Sequence, residues 1–196
     1  MLYWGALGGA VPAIVLISSQ LVLAQFTQQG AKLAGTGASG VPQQGQSVAL
    51  SADGNTAIVG GLGDSSGAGA AWVFTRSGGV WSQQGSKLVG TGASGAASQG
   101  QSVAVSADGN TAIVGGNGDN SYAGATWVWI RSNGLWTQQG GTLVGSGAIS
   151  SPQQGWSVAL SGDGNTAIVG GLGDDSYTGA AWVFTRSGGV WTQQGS

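Results

Sequence analysis

The feature that most constrains how this chain folds is a near-identical block that recurs every 55 residues. It runs from Ser51 to Gly61 (Ser-Ala-Asp-Gly-Asn-Thr-Ala-Ile-Val-Gly-Gly), then from Ser106 to Gly116, then from Ser161 to Gly171. A fixed period of this length marks a supersecondary unit that cannot bury its apolar face alone, so the units must stack on one another.

Within one unit the apolar positions alternate with period two, which is the signature of strands. Gln46 to Leu50 alternates polar and apolar, Ala52-Asp53-Gly54-Asn55 reads as a tight turn, and Thr56 to Gly60 returns. Ala70 to Arg76 forms a third strand, Ser77-Gly78-Gly79 turns, and Val80 to Gln84 runs back. The Asp-Gly pair favours a hairpin because glycine takes positive φ without steric cost. Lys87-Leu88-Val89 prolongs the fourth strand, and Gly90 to Gln99 carries the chain onward. Glycine interrupts every window long enough for a helical pattern. The expected class is all-β, with three tandem four-stranded antiparallel units as β-propeller blades in a partial or oligomer-completed ring. A parallel β-solenoid is the competing architecture, but its coils lack paired tight hairpins.

Counted from Phe26, the units are residues 26–80, 81–135 and 136–190, followed by the opening of a fourth at 191–196. Propellers close with 4 to 8 blades, so further blades or other copies of the chain are expected to complete the ring.

The chain has no Cys, His or Glu. Thiol and imidazole catalysis, disulfides and structural zinc sites are thereby excluded. Seven Asp against five Lys plus Arg give a net charge of -2 with no basic patch, so nucleic acid is not an expected partner. The apolar stretch Leu7 to Ala24, ending in Val22-Leu23-Ala24, reads as a signal peptide cleaved after Ala24. A retained N-terminal membrane anchor is the alternative, since no Lys or Arg precedes the stretch. Either reading places the repeats in an extracytoplasmic space, secreted or at the cell surface.

Gln44-Gly45-Gln46-Ser47-Val48-Ala49-Leu50-Ser51 resembles the Phe-Gly-x-Ser-Val-Ala stretch of the FG-GAP repeat. Val59-Gly60-Gly61-Leu62-Gly63-Asp64 is similar to that family's Val-Gly-Ala-Pro segment with its following Gly-Asp. The resemblance extends over all three units and implies a propeller of the kind found in integrin alpha chains and bacterial surface proteins. Gln in place of Phe, and Leu or Asn in place of Pro, depart from the pattern. Gly60-Gly61, Trp72-Val73-Phe74 and Trp81 also resemble the double glycine and spaced aromatics of kelch repeats. Both resemblances imply propellers.

Many FG-GAP blades bind calcium through an Asp-rich loop between the first two strands. Here that turn offers only Asp53, Asp108 or Asp163 beside glycine, too few carboxylates for the site. No cofactor and no metal site is expected. The loop after the double glycine is the better polar cluster, with Asp64-Ser65-Ser66, Asp119-Asn120-Ser121 and Asp174-Asp175-Ser176. Such loops would hydrogen-bond sugar hydroxyls or hold a weak ion, or else are solvated tips. The recurring Trp72, Trp127, Trp182 and Trp81, Trp136, Trp191 are expected between sheets, and Arg76, Arg131 and Arg186 are expected to protect an edge or form a surface ion pair. Trp156 breaks the pattern because its equivalents are Gln46 and Gln101, which makes it a candidate for stacking on a sugar ring. No catalytic residue emerges: paired glycosidase acids need different environments, and these Asp recur in equivalent ones. The expected function is a secreted or surface-exposed non-enzymatic module that binds a protein or glycan. A structural fragment of a larger adhesin-like protein, or a propeller lectin, is the alternative.

Overall fold

The computed structural model describes residues 27–195. The assignment of residues 1–24 as signal peptide or anchor lies outside the described residues. The described residues are all-β, built from three four-stranded antiparallel meanders that form propeller blades. The first sheet comprises β1 (Ser47–Leu50), β2 (Thr56–Gly61), β3 (Ala70–Ser77) and β4 (Val80–Gln83). The second comprises β5 (Ser102–Val105), β6 (Thr111–Gly116), β7 (Ala125–Ser132) and β8 (Leu135–Gln138). In the third, β9 (Ser157–Leu160), β10 (Thr166–Gly171), β11 (Ala180–Ser187) and β12 (Val190–Gln194) follow the same order. A repeat has no intrinsic starting point, and the frame opening at Trp81 and Trp136 divides β4 and β8. Trp191 to Gln194, which that frame leaves over as a fourth unit, pair with β11 as the outer strand of the third sheet.

Local chemistry accounts for the hairpins. Both central residues of each outer turn have positive φ, at Gly78-Gly79, Asn133-Gly134 and Gly188-Gly189. Such turns match the right-handed twist of the flanking strands. In the inner turn the Ser51 amide donates to Thr56 O at 2.9 Å, and Asp53 Oδ1 accepts from the Asn55 amide at 2.9 Å. The outer strand continues past a bulge: Ala71 and Leu88 exchange backbone bonds of 3.0 and 2.7 Å.

The second sheet is buried on both faces, one against the first sheet and the other against the third. Ile58, Val73 and Leu88 of the first blade share a core with Val103, Val114, Trp127 and Trp129 of the second. Ile113, Val128 and Leu143 of the second blade pack against Val169, Trp182 and Phe184 of the third. Polar bonds fix the stacking: Ser47 Oγ donates to Gly100 O and Ser102 Oγ to Gly155 O, both at 2.8 Å.

The recurring arginines do more than protect an edge. Arg131 lies over the Trp136 ring, 5.3 Å from its centroid, and reaches back to the first blade through Gln84 Oε1 (3.1 Å) and Thr56 Oγ1 (3.2 Å). Trp136 Nε1 donates to the same Gln84 oxygen at 2.9 Å. Arg186, Trp191, Gln139 and Thr111 repeat the clamp between the second and third blades. No carboxylate takes part in these hydrogen bonds; a planar cation meets a ring face and neutral acceptors.

Candidate functional site

The double-glycine loops leave the same corner of every sheet. Each carries a one-turn segment, Asp64–Gly67, Asp119–Tyr122 and Asp174–Tyr177. Despite the helix-like turn, its centre is left-handed: Ser65 and Ser66, Asn120 and Ser121, and Asp175 and Ser176 all have positive φ. Left-handed backbone costs an L-residue roughly 1–2 kcal/mol. Glycine relieves this at Gly67, whereas Tyr122 and Tyr177 at the equivalent positions bear φ of 70° and 71°.

The first Asp of each loop holds the tip in place and is not a free ligand group. Asp64 is fully buried, accepting from the Ser39 amide at 2.8 Å, from Ser65 Oγ at 2.9 Å and from Lys87 Nζ. Burial works to raise the Asp64 carboxyl, but the Lys87, Ser39 and Ser65 bonds and the Lys87 charge together leave it below the ordinary Asp value. Asp119 Oδ1 accepts from the Ser94 amide and Asp174 Oδ1 from the Ile149 amide, both at 2.6 Å, and both carboxylates are buried. The expectation that these three aspartates face solvent or a ligand is therefore corrected. They pin the incoming linker, whose backbone must find partners where it crosses the blade. Ser65, Asn120 and Asp175, one residue further on, are exposed.

The turn aspartates are likewise satisfied locally. The Ser51 hydroxyl, followed by the Asn55 amide and side chain, holds Asp53 down at about 2. Ser106 and Ser161 lower Asp108 and Asp163 in the same way. Among the described residues, no group of three or more Asp, Glu, His or Cys is placed to hold a metal ion.

Exposed aromatic side chains gather at the loop end. Tyr122 is 58% exposed, Tyr177 71% and Trp156 42%. The pairing of Ser157 with Gly170 sets Trp156 at the end of the third sheet from which its double-glycine loop departs. Gln153 ties Trp156 to the neighbouring blade: its amide donates to Tyr122 O at 2.9 Å, and its carbonyl accepts from the Trp156 amide at 3.1 Å. Tyr122 lines a shallow cleft of about 230 Å³ with Ser94, Gly95, Ala96, Gly118 and Ser121. Trp72, Trp127 and Trp182 are buried, each donating its indole N–H to a linker carbonyl at 2.8–2.9 Å. Trp156 thus stays apart from the structural tryptophans. The two tyrosines were missed from sequence, although their replacement of Gly67 was a visible departure from the repeat.

No protein-family model and no curated protein sequence matches the chain. Among solved structures it is similar to Sqt1 from Saccharomyces cerevisiae, with 14% identity and a TM-score of 0.49 over 78% of this chain and 35% of that one. It is also similar to TolB from Acinetobacter baumannii, with 11% identity and a TM-score of 0.42 over 75% of this chain and 31% of that one. The chain spans about a third of each of these two structures.

Proposed function

We propose that this chain is a secreted or surface-exposed, non-enzymatic recognition module whose contact surface is the loop end of its blades. The observation that carries this reading is the grouping of Tyr122, Trp156 and Tyr177 there, each exposed where a sibling unit has Gly or Gln. Exposed aromatic rings beside Asn120, Ser121, Asp175 and Ser176 supply stacking faces together with hydrogen-bonding groups. That polar, amphipathic chemistry suits a glycan, and a protein surface is the second class of ligand it accommodates. Left-handed tyrosines support the reading further, because such backbone costs stability and is commonly kept where a side chain must be presented. The FG-GAP-like motifs accord with a surface module, and the apolar segment ending at Ala24 accords with export.

A glycan array and a phage-displayed peptide library, each probed with the full chain and with its Tyr122→Ala and Trp156→Ala variants, test the proposal. Binding that weakens at least tenfold in both variants supports it. Binding indifferent to both substitutions would remove the loop end from the function.

A further inference from the structure

We propose that two copies of this chain dock head to tail, the third blade of one against the first blade of the other, through the same contacts that join its own blades. The two ends of the stack carry complementary halves of an interface that the chain already buries twice.

At one end, Ile168 is 44% exposed, whereas its equivalents Ile58 and Ile113 are 1% and 0% exposed beneath the following blade. Ala159 and Ala181 lie open with it, and an apolar hollow of about 200 Å³ is lined by Ser157, Val158, Ala159, Ile168, Gly170 and Ala181. At the other end, Val48 is 69% exposed and Leu50 61%, although Val103, the equivalent of Val48, is 8% exposed against the preceding blade. Leu33 completes this half. It is 39% exposed, while Leu88 and Leu143 at the same repeat position are 6% and 8% exposed, bridged to Ala71 and Thr126. In the docked pair Leu33 of one copy meets Ala181 of the other.

The polar contacts have open counterparts too. Ser157 stands where Ser47 and Ser102 donate to Gly100 O and Gly155 O, and exposed Gly45 supplies the equivalent carbonyl in a second copy. Thr166 is exposed where Thr56 and Thr111 accept from the next blade's arginine, and Arg76 supplies that arginine. Within one copy, Arg76 Nη1 donates to Gln29 Oε1 at 3.0 Å, the role that Gln84 plays for Arg131. Residues 27–30 and 192–195 share the sequence Thr-Gln-Gln-Gly, so docking exchanges Gln29 for Gln194 at the same arginine. An apolar sheet face left open favours association, and the partner best shaped for this one is the face the fold already uses. The contact is heterologous, joining a different face of each copy, as the contacts between the chain's own blades do.

The absence of cysteine permits a direct test. The Ala107 amide donates to Gly162 O at 2.9 Å, and a Cβ built on Gly162 would lie 3.5 Å from Ala107 Cβ, within disulfide reach. Ala52 and Gly162 occupy the same pair of positions across the proposed contact. Full-length chains in mild nonionic detergent, one carrying Ala52→Cys and the other Gly162→Cys, are mixed and oxidised. An Ala107→Cys/Gly162→Cys chain, which closes an internal disulfide, serves as the positive control. The expected result is a heterodisulfide dimer several-fold above either single variant alone, abolished when Ile168→Asp is added and far-ultraviolet circular dichroism is unchanged. No heterodisulfide under conditions where the control closes, or one insensitive to Ile168→Asp, would overturn the docking.

Discussion

Gly90 and Trp127 touch so closely that a Cβ on the glycine would fall 2.0 Å from Trp127 Cδ1. The linker crosses the indole face there, and the ring's N–H donates to Thr91 O, one residue on, at 2.9 Å. Neither partner can retreat, because Trp127 is fully buried and the Gly90 amide and carbonyl are both bonded to the Gln99 side chain. Gly90→Ala is expected to destabilise the fold by about 2–3 kcal/mol through overpacking, read from the midpoint of urea denaturation. Gly95→Ala makes a useful contrast. Its Cβ meets nothing within 4 Å, so only its positive φ of 75° opposes the change, which is expected to cost about 1 kcal/mol.

The arginine clamp between blades depends on the shape of the guanidinium as well as its charge. Arg131→Ala removes bonds to Gln84, Thr56 and Asn110 together with the stacking on Trp136, and is expected to cost about 2 kcal/mol. Arg131→Lys retains the charge but cannot reach these acceptors together, so it is expected to recover less than half of that loss. Chemical denaturation of the three proteins compares them directly.

Tyr122 and Tyr177 separate stability from recognition. Tyr122→Gly relieves left-handed backbone, and the greater entropy of the unfolded chain offsets only part of that gain. Stability is expected to hold or to rise by up to about 1 kcal/mol. Ligand binding on the glycan array or peptide library falls at least tenfold if the loop end is the contact surface. A parallel fall in melting temperature would mark the tyrosine as structural.

The second blade carries two buried polar atoms without partners, Thr126 Oγ1 and Trp129 Nε1. Their equivalents are Ala71 and Ala181, and Phe74 and Phe184, none of which brings a polar group to the site. Thr126→Val removes the unpaired hydroxyl at nearly constant volume and is expected to stabilise by about 1 kcal/mol. Thermal melts show the change as a rise in Tm.

Acid alone among mild pH changes should unsettle this fold. Asp53, Asp64, Asp108 and Asp163 have folded carboxyls held below the ordinary value, Asp53 at about 2. A lowered folded pKa adds stability that is fully present above the unfolded value of roughly 4 and is lost as pH falls through the folded one. With no His or Glu, no side chain of ordinary pKa titrates between about pH 5 and 8. The denaturation midpoint is therefore expected to stay flat from pH 8 to 5 and to drop steeply between about 4 and 2.

The 55-residue period, the alternation within each strand and the Asp-Gly and Gly-Gly turns were enough to determine the blades, because hairpin register and sheet faces depend on near neighbours in sequence. Strand limits read from the pattern agree with the structure to within a residue, as at Thr56–Gly61 and Ala70–Ser77. Burial of Trp72 and Trp127 followed from their recurrence in a chain poor in other large side chains. What the sequence left hidden lies in partners far along the chain. Asp64 is a loop aspartate by composition, and only the passage of Ser39 and Lys87 beside it makes it a buried clasp. Arg131 reads as an edge charge until Gln84 and Thr56, from the neighbouring blade, arrive at its guanidinium. Tyr122 gives no sign of left-handed backbone, since that conformation is imposed by a loop closed between Asp119 and Gly124. Local pattern decides a local element, whereas burial and hydrogen bonding between blades arise only once the sheets have stacked.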